Sequence, residues 1–511
     1  MEKKRGRKRR ALKQIGVVLL FLVINLALVS LLSKIYYEFN SGADRSKLLH
    51  INLEYNSYYK PKIKVTADNV EGRQPNLQNV NTIKQDYLKS WYVRKYALLN
   101  NDPKAIEDFY TDSAQVKIQR IIAQNSLDTV SVGSTSSEHD LTIKFFSEDG
   151  QVVYVDDKNV KEHHYFFKKG KFLHKNQTLK DYSAILLLED GFWRIRHLVS
   201  EQSKHRMTTK SKALVTKTPI KGINYYPQKT PWFEFWKQYD STVVKKDFEI
   251  IKNLKLNTVR IFIPYELFGK EYVYDSKLKL LQKTLDIAQE TGLKVIVTFF
   301  DFYSNYQILD YTICDRHLEN IVNGIKSHPA LLQYDIKNEP DLDILLYGEA
   351  KVTNWLSFMI QRLRSYDPDT PITIGWATPE KAHLLADEVD VVSFHFYKKI
   401  KKFNEVIKKL RTQTDKPLVV QEFGRHSKSS IWNLWSHNKN KQAKYHKKMQ
   451  TLFKENNIQN FVSWTLYDFP EIDPAIFGRM PHKIGPQKNF GFIDIEGNLK
   501  PAAKYIASDK D

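Results

Sequence analysis

From about residue 220 onward the chain alternates short apolar runs with longer stretches in which apolar positions recur every three or four residues. Eight runs carry strand character, at 220–225, 258–263, 294–299, 332–336, 371–376, 389–396, 418–421 and 460–466. Most lack a polar alternate face, the pattern of a strand covered on both sides. Between them, the segments 243–254, 278–291, 316–326, 352–365 and 403–413 place their apolar residues on one helical face. Eight strands joined by crossover helices predict a closed parallel (β/α)8 barrel, and roughly three hundred residues suit one.

Before residue 205 the pattern changes. A polar, extended segment at 50–78 leads into helical patterns at 83–100 and 103–111. Strand-like alternation follows at 141–146, 152–156, 163–168, 182–189 and 193–199. Helices followed by an antiparallel sheet predict a smaller α+β domain over 45–205, joined by a basic, polar linker at 206–217 to a barrel over 218–508. Further upstream, residues 15–32 form an apolar run in which only Asn25 and Ser30 are polar. Such a run is just long enough to cross a bilayer. The basic residues precede it, so the charge rule places 1–14 in the cytoplasm and everything after the 15–33 anchor outside. A cleavable signal peptide is the rival reading. The length of the run and the bulky Lys34-Ile35-Tyr36-Tyr37 after it, with no small-x-small site, favour an anchor.

Composition narrows the class. The formal charge is +21, but eight basic residues against Glu2 put +7 of it in the first fourteen residues. The remaining +14 is spread as single lysines, with small clusters at 398–402 and 438–448, and reads first as a solvated surface. Attraction to anionic lipid or to an acidic glycan is the functional alternative. Cys314 is the single cysteine, so the fold rests on its core and no intramolecular disulfide is available. No cofactor is implied: the chain has no Cys/His metal spacing, no phosphate-binding glycine loop and no nucleic-acid motif.

Two glutamates stand out. Glu339 ends the run Leu332-Gln333-Tyr334-Asp335-Ile336-Lys337-Asn338 and precedes Pro340; Glu422 ends Leu418-Val419-Val420-Gln421 and precedes Phe423-Gly424. Either alone reads equally well as a turn or loop carboxylate. Together, at the C-terminal ends of two barrel strands, they occupy the face where barrel enzymes do chemistry. Cleavage of a glycosidic bond needs such a pair, one carboxyl to protonate the leaving oxygen and one to attack or stabilise the anomeric centre.

In order along the barrel stand Lys221-Gly222-Ile223-Asn224-Tyr225, Asn257-Thr258-Val259-Arg260-Ile261, Asn338-Glu339-Pro340, Ser393-Phe394-His395-Phe396-Tyr397, Gln421-Glu422-Phe423-Gly424 and Ser463-Trp464. The exit Phe490-Gly491-Phe492-Ile493-Asp494 follows, with Lys500-Pro501. In these stretches the chain resembles glycoside hydrolase clan A, most of all the family 5 cellulase and mannanase group, over about 213–508. The resemblance implies that Glu339 is the acid/base and Glu422 the nucleophile. It sets Arg260 and Tyr397 beside Glu422, where charge and hydrogen bonding keep it ionised. It leaves Glu339 protonated through an apolar setting and the charge of Glu422. It further implies that Asn338 bonds the sugar 2-hydroxyl, that His395 lies near the acid/base, and that Trp464 forms a floor under the ring. For His395 and Trp464 the plain alternatives are a core histidine and a core aromatic. Of the loop aromatics Tyr226, Trp232, Trp236, Phe300, Tyr303, Trp376 and Trp432, packing accounts for most.

Two positions depart from the family pattern. Strand three ends in Thr298-Phe299-Phe300-Asp301, where many relatives carry a histidine, and Lys337 stands where a small or apolar residue is commoner. Lys337 either points outward or meets an acidic sugar. The 468–488 loop is long enough to wall one end of a cleft. In the first domain, Ala184 to Leu188 followed by Glu189-Asp190-Gly191-Phe192-Trp193 resembles the NTF2-like cone fold. The expected activity is thus that of a membrane-anchored retaining β-glycoside hydrolase whose partners are a polysaccharide or oligosaccharide and the cytoplasmic membrane. A transglycosylase using the same glutamates, or a non-catalytic glycan-binding subunit, are the alternatives; the intact Glu339, Glu422, Asn338 and Tyr397 speak against the last.

Overall fold

A computed structural model describes residues 16, 19–36, 59–204, 213, 218–428, 438–477 and 481–507. The basic tail 1–14, most of the linker 206–217 and Trp432 lie outside the described residues. The apolar run forms the helix α1 (Leu19–Tyr36), four residues beyond the end of the sequence run at 32, and it is long and apolar enough to cross a membrane. The described residues after the helix form two compact units, one over 62–204 and one over 218–507 with the short stretch 59–61.

The first unit runs β1 (Lys62–Thr66), β2 (Glu71–Gly72), α2 (Leu77–Asn100), α3 (Ile106–Phe109), α4 (Asp112–Leu127), β3 (Val130–Ser136), β4 (Glu138–Phe146), β5 (Val152–Lys168), β6 (Lys171–Glu189) and β7 (Phe192–Gln202). The sheet has seven strands, with the path β1-β4-β5-β6-β7, β2 beside β4 and β3 beside β5. The long strands pair antiparallel. Two expectations change here. The runs at 152–156 and 163–168 are one strand, because Asn159 takes a left-handed φ of 56° at a break in register between Asp157 and Val160. A bulge of this kind hides continuity from the period-2 pattern. The helix expected over 103–111 shrinks to α3, and the longer α4 follows it, burying Ala114, Ile118 and Ile122 at four-residue spacing while Val116, Ile121 and Leu127 stay exposed.

Inside this unit Ser136 Oγ, His139 and Asp157 lie in line, with Ser136 3.2 Å from His139 Nε2 and Asp157 2.6 Å from its Nδ1. Tyr87 Oη donates to the same carboxylate at 2.9 Å. The order mimics a nucleophile relay, but all four side chains are buried, and the chain of bonds serves to fasten α2 to β4 and β5.

The second unit is a closed barrel of eight parallel strands: β8 (Lys221–Asn224), β9 (Thr258–Pro264), β10 (Lys294–Asp301), β11 (Leu331–Asn338), β12 (Ile372–Trp376), β13 (Val392–Phe396), β14 (Leu418–Phe423) and β15 (Asn460–Ser463). Each pairs with its sequence neighbours and β15 closes on β8. All eight expected strands are present. Their apolar character reflects helices outside and packed side chains within, as in β9, where every residue is buried. Near the strand starts Ile220, Ile296, Val391, Val419 and Val462 plug the interior. Farther along, inward positions two residues apart become polar, and the floor of the mouth begins there. The helix α5 (Lys439–Glu455) was legible in the sequence only as a basic cluster; it buries Ala443, His446, Met449, Leu452 and Phe453.

His446 generates a pH dependence. Its ring sits among Phe423, Tyr445 and Phe492, and neither ring nitrogen has a hydrogen-bond partner among the described residues. Burial drives its pKa from the ordinary 6.5 down to about 3. Between those values the unfolded chain holds a proton that the folded chain lacks, so this residue costs stability as pH falls. His446→Phe is therefore expected to flatten the acid side of the barrel's stability curve, by up to about 1.4 kcal/mol per pH unit. Denaturation of both proteins at several pH values checks it; parallel curves would contradict it.

Candidate active site

Arg260 stands at the centre of the barrel mouth. It is an inward residue of β9, fully buried, and its guanidinium reaches β8, β10, β11 and β14. Nε donates to Thr298 Oγ1 at 2.9 Å and to Asp335 Oδ2 at 3.1 Å. Nη2 donates to Asp335 Oδ2 at 2.7 Å and to Asn338 Oδ1 at 2.8 Å. Nη1 donates to Asn224 Oδ1 at 2.9 Å and to Glu422 Oε1 at 2.8 Å. Asp335 accepts further from Thr298 Oγ1 at 2.9 Å, from the Gly375 N–H at 2.8 Å and from Gln421 Nε2 at 3.3 Å. Asn224 in turn donates to the carbonyls of Gln421 and Ser463 at 3.0 and 3.1 Å. Gly375 has a steric reason: a Cβ there would lie 2.9 Å from Arg260 Nη2 and 2.7 Å from Gln421 Oε1.

Glu422 ends β14 beside this network. Besides Arg260 it accepts from Tyr397 Oη at 3.2 Å. Tyr397 exposes the rest of its ring to the mouth. Glu339 follows β11 in a left-handed conformation, φ 49°, which turns its side chain across the opening. A non-glycine residue held there is strained, a common mark of a working site. Its carboxylate Oε1 lies 2.8 Å from His395 Nδ1, which is also 3.5 Å from Glu422 Oε2. One donor atom from each of Glu339, His395 and Glu422 falls within 4.8 Å of the other two.

The electrostatics separate the two carboxyls. Burial raises Glu339 above its ordinary range, with Arg260 and Lys337 opposing. The apolar setting expected of Glu339 is the first cause of its rise, and the repulsion between the two carboxyls falls on Glu422. Burial also raises Glu422, with His395 and Arg260 pulling back and Glu339 adding to the rise. Of the two, Glu422 is the group held as carboxylate, because it alone takes a direct guanidinium bond. His395 is pushed down to about 4 by burial and is a neutral imidazole at physiological pH. The three donors are spaced as a metal site requires, but Arg260 already sets a fixed positive charge 2.8 Å from Glu422 and the imidazole is spent on Glu339. The three groups are therefore held together by hydrogen bonds and by the Arg260 charge.

Trp464 is nearly buried, with Tyr226, Trp232 and Phe262 around it at ring distances of 6.2 to 6.5 Å. Tyr226 and Trp232 are themselves buried and pack against it. Trp236, Phe300, Tyr303 and Trp376 are buried packing residues. Lys337 does not point outward: it is buried, 3.5 Å from Asp343, and its charge also acts on Asp301 and Glu339. Asp301, at the end of β10, is a third carboxyl of the mouth, pushed up to about 7 by burial while Lys337 and Arg260 oppose. It lies between Phe300 and Phe302, both at left-handed φ, 50° and 60°. The sequence marked Asp301 and Lys337 only as departures, and it gave no separate sign of the roles of Asn224, Thr298, Asp335 and Gln421. A polar residue inside an apolar run is the available signal, and four such residues on four strands mark one buried network.

Arg260→Met is expected to cost the barrel about 3–5 kcal/mol, since Asp335 and Glu422 then stay buried without their counter-charge. Chemical denaturation followed by tryptophan fluorescence measures it, and a loss under about 1 kcal/mol would show that the guanidinium does not hold the mouth together.

Residues 216–469 match the cellulase family, glycosyl hydrolase family 5. No curated protein sequence matches the chain. Among solved structures, the exo-β-1,4-mannosidase of Opitutaceae bacterium strain TAV5 is similar at 19% identity and a TM-score of 0.48, covering 59% of this chain and 61% of its own. The GH5_18 protein of Streptomyces cattleya in complex with GlcNAc is similar at 15% identity and a TM-score of 0.47, covering 57% and 79%. The β-glucuronidase of Bacteroides uniformis is similar at 13% identity and a TM-score of 0.45, covering 74% and 48%. The chain thus spans about three fifths of the length of the mannosidase.

Proposed function

Because the barrel of this chain is a glycosyl hydrolase family 5 domain, we propose that the protein is a membrane-anchored retaining β-glycoside hydrolase acting on a polysaccharide outside the cytoplasmic membrane. The observation that carries the mechanism is the approach of Glu339 and Glu422, with an oxygen of each within 4.8 Å of the other. Retaining glycosidases keep their carboxyls about 5–5.5 Å apart, whereas inverting ones need about 6.5–9.5 Å to admit a water.

In this reading Glu339 gives its proton to the departing glycosidic oxygen while Glu422 bonds to the anomeric carbon. Glu339, now a carboxylate, takes a proton from water, and the hydroxide formed displaces Glu422. Arg260 and Tyr397 hold Glu422 ionised and aimed. The neutral His395 ring fixes the rotamer of Glu339. Asn338 turns its carbonyl to Arg260, which leaves its amide N–H groups for the sugar 2-hydroxyl. Trp464 offers an aromatic face to the pyranose ring. The mechanism predicts that the first-formed reducing ends keep the anomeric configuration of the bond cut, and that Glu422→Gln releases none. Proton NMR during the first turnovers reads this, and early appearance of the opposite anomer would overturn the paired-glutamate mechanism.

The anchor follows from α1 and the basic residues before it. Protease added to intact cells is expected to cut the barrel from a membrane-bound chain. Release of a shortened soluble form without protease would instead mark a cleaved signal peptide.

A further inference from the structure

The first unit contains a cavity of about 310 Å³ that no part of the barrel chemistry uses. It is lined by residues of α2, α4 and the strands β3, β5, β6 and β7. Leu98, Ile118, Ile121, Val132 and Leu198 give it aliphatic walls. Its charged lining is unequal: Arg94, Lys117 and Lys180 face it together with one carboxylate, Glu162.

That carboxylate is already saturated. Glu162 is buried and accepts from Lys95 Nζ at 3.2 Å, from Arg94 Nη2 at 3.4 Å and from the Tyr182 hydroxyl. Burial would raise its pKa, but Lys95 and Arg94 carry it well below the usual carboxylate range. Lys95, wholly buried, suffices to neutralise it. Arg94 is then a surplus cation. It is mostly buried, stacked 4.2 Å over the Trp91 ring, and bound to Glu162 by a single long contact. A guanidinium carries five donors in a planar fork, and Glu162 with Tyr182 engages only part of them. His164, the other titratable wall residue, is pushed down to about 4 by burial and adds no charge. A mostly buried cation with spare donors at the base of an aliphatic pocket is costly unless something anionic completes it.

We propose that this cavity binds a small amphipathic anion, its carboxylate or phosphate held by the Arg94 fork and its aliphatic body packed on Leu98, Ile118, Ile121 and Leu198. Charge complementarity sets the head, and the aliphatic walls set the body. Lys117 and Lys180 add long-range attraction at the walls.

Isothermal titration of the full chain in nanodiscs tests this, with empty nanodiscs as the baseline. The probes are hexanoate, hexyl phosphate, hexanol and inorganic phosphate. Hexanoate or hexyl phosphate is expected to bind at least ten-fold more tightly than hexanol and than inorganic phosphate. The better of the two identifies the head group. Arg94→Gln keeps Glu162 paired with Lys95 and Tyr182, and should lose ten-fold or more in affinity. Ile118→Trp should block the body, and Lys180→Gln should weaken binding less than Arg94→Gln; Lys180→Gln also stands in should Arg94→Gln fail to fold. Equal binding of hexanol would overturn the anion site, and equal binding of inorganic phosphate would overturn the apolar one. Full binding by Ile118→Trp, or no binding to a folded chain, would overturn the proposal.

Discussion

Everything at the barrel mouth depends on keeping one guanidinium dry. Arg260 is buried among Asp335, Glu422 and three neutral oxygen partners, and a charge in that setting is tolerable only when its donors are met. The requirement propagates outward. Thr298, Asn224 and Asn338 must each present an oxygen, Gly375 must present no side chain, and Gln421 must share Asp335. Six strands, β8 to β12 and β14, are registered to one another by this demand, beyond what their backbone ladders require. The ends of β11 and β14 are thereby fixed, and with them the two glutamates.

The scaffold was readable because its strands are covered on both sides and so stay apolar along their length. Glu339 and Glu422 were readable because each ends such a run at a Pro or Gly break. The partners that give them different chemistry were harder to read. Asp335 and Gln421 sit inside apolar runs, and nothing local says which strand their partners come from. The charge relation between the glutamates was half legible: their proximity follows from the strand ends, whereas the rise at Glu339 comes from burial, which depends on the whole mouth. In the first unit the bulge at Asn159 split one strand into two apparent ones, and apolar residues left exposed on α4 blurred the periodicity of its buried face.

The two units place charge in opposite ways. In the barrel, cations and carboxylates are matched at close range, with Lys337 given to Asp343 and Arg260 given to Asp335 and Glu422. In the first unit, Glu162 is one carboxylate among several cations. A matched site turns on geometry and proton position; an unmatched one invites a counter-charge from outside the chain.

The brace at Arg260 also constrains how this lineage can change. A copy relieved of chemistry can replace Glu422 by Gln, or Glu339 by almost any polar residue, and keep its fold. It cannot drop the guanidinium without stranding Asp335 beneath it. Inactive descendants of such a barrel should therefore still carry the arginine, the aspartate and the bare glycine beside them, a fossil of catalysis preserved by folding alone.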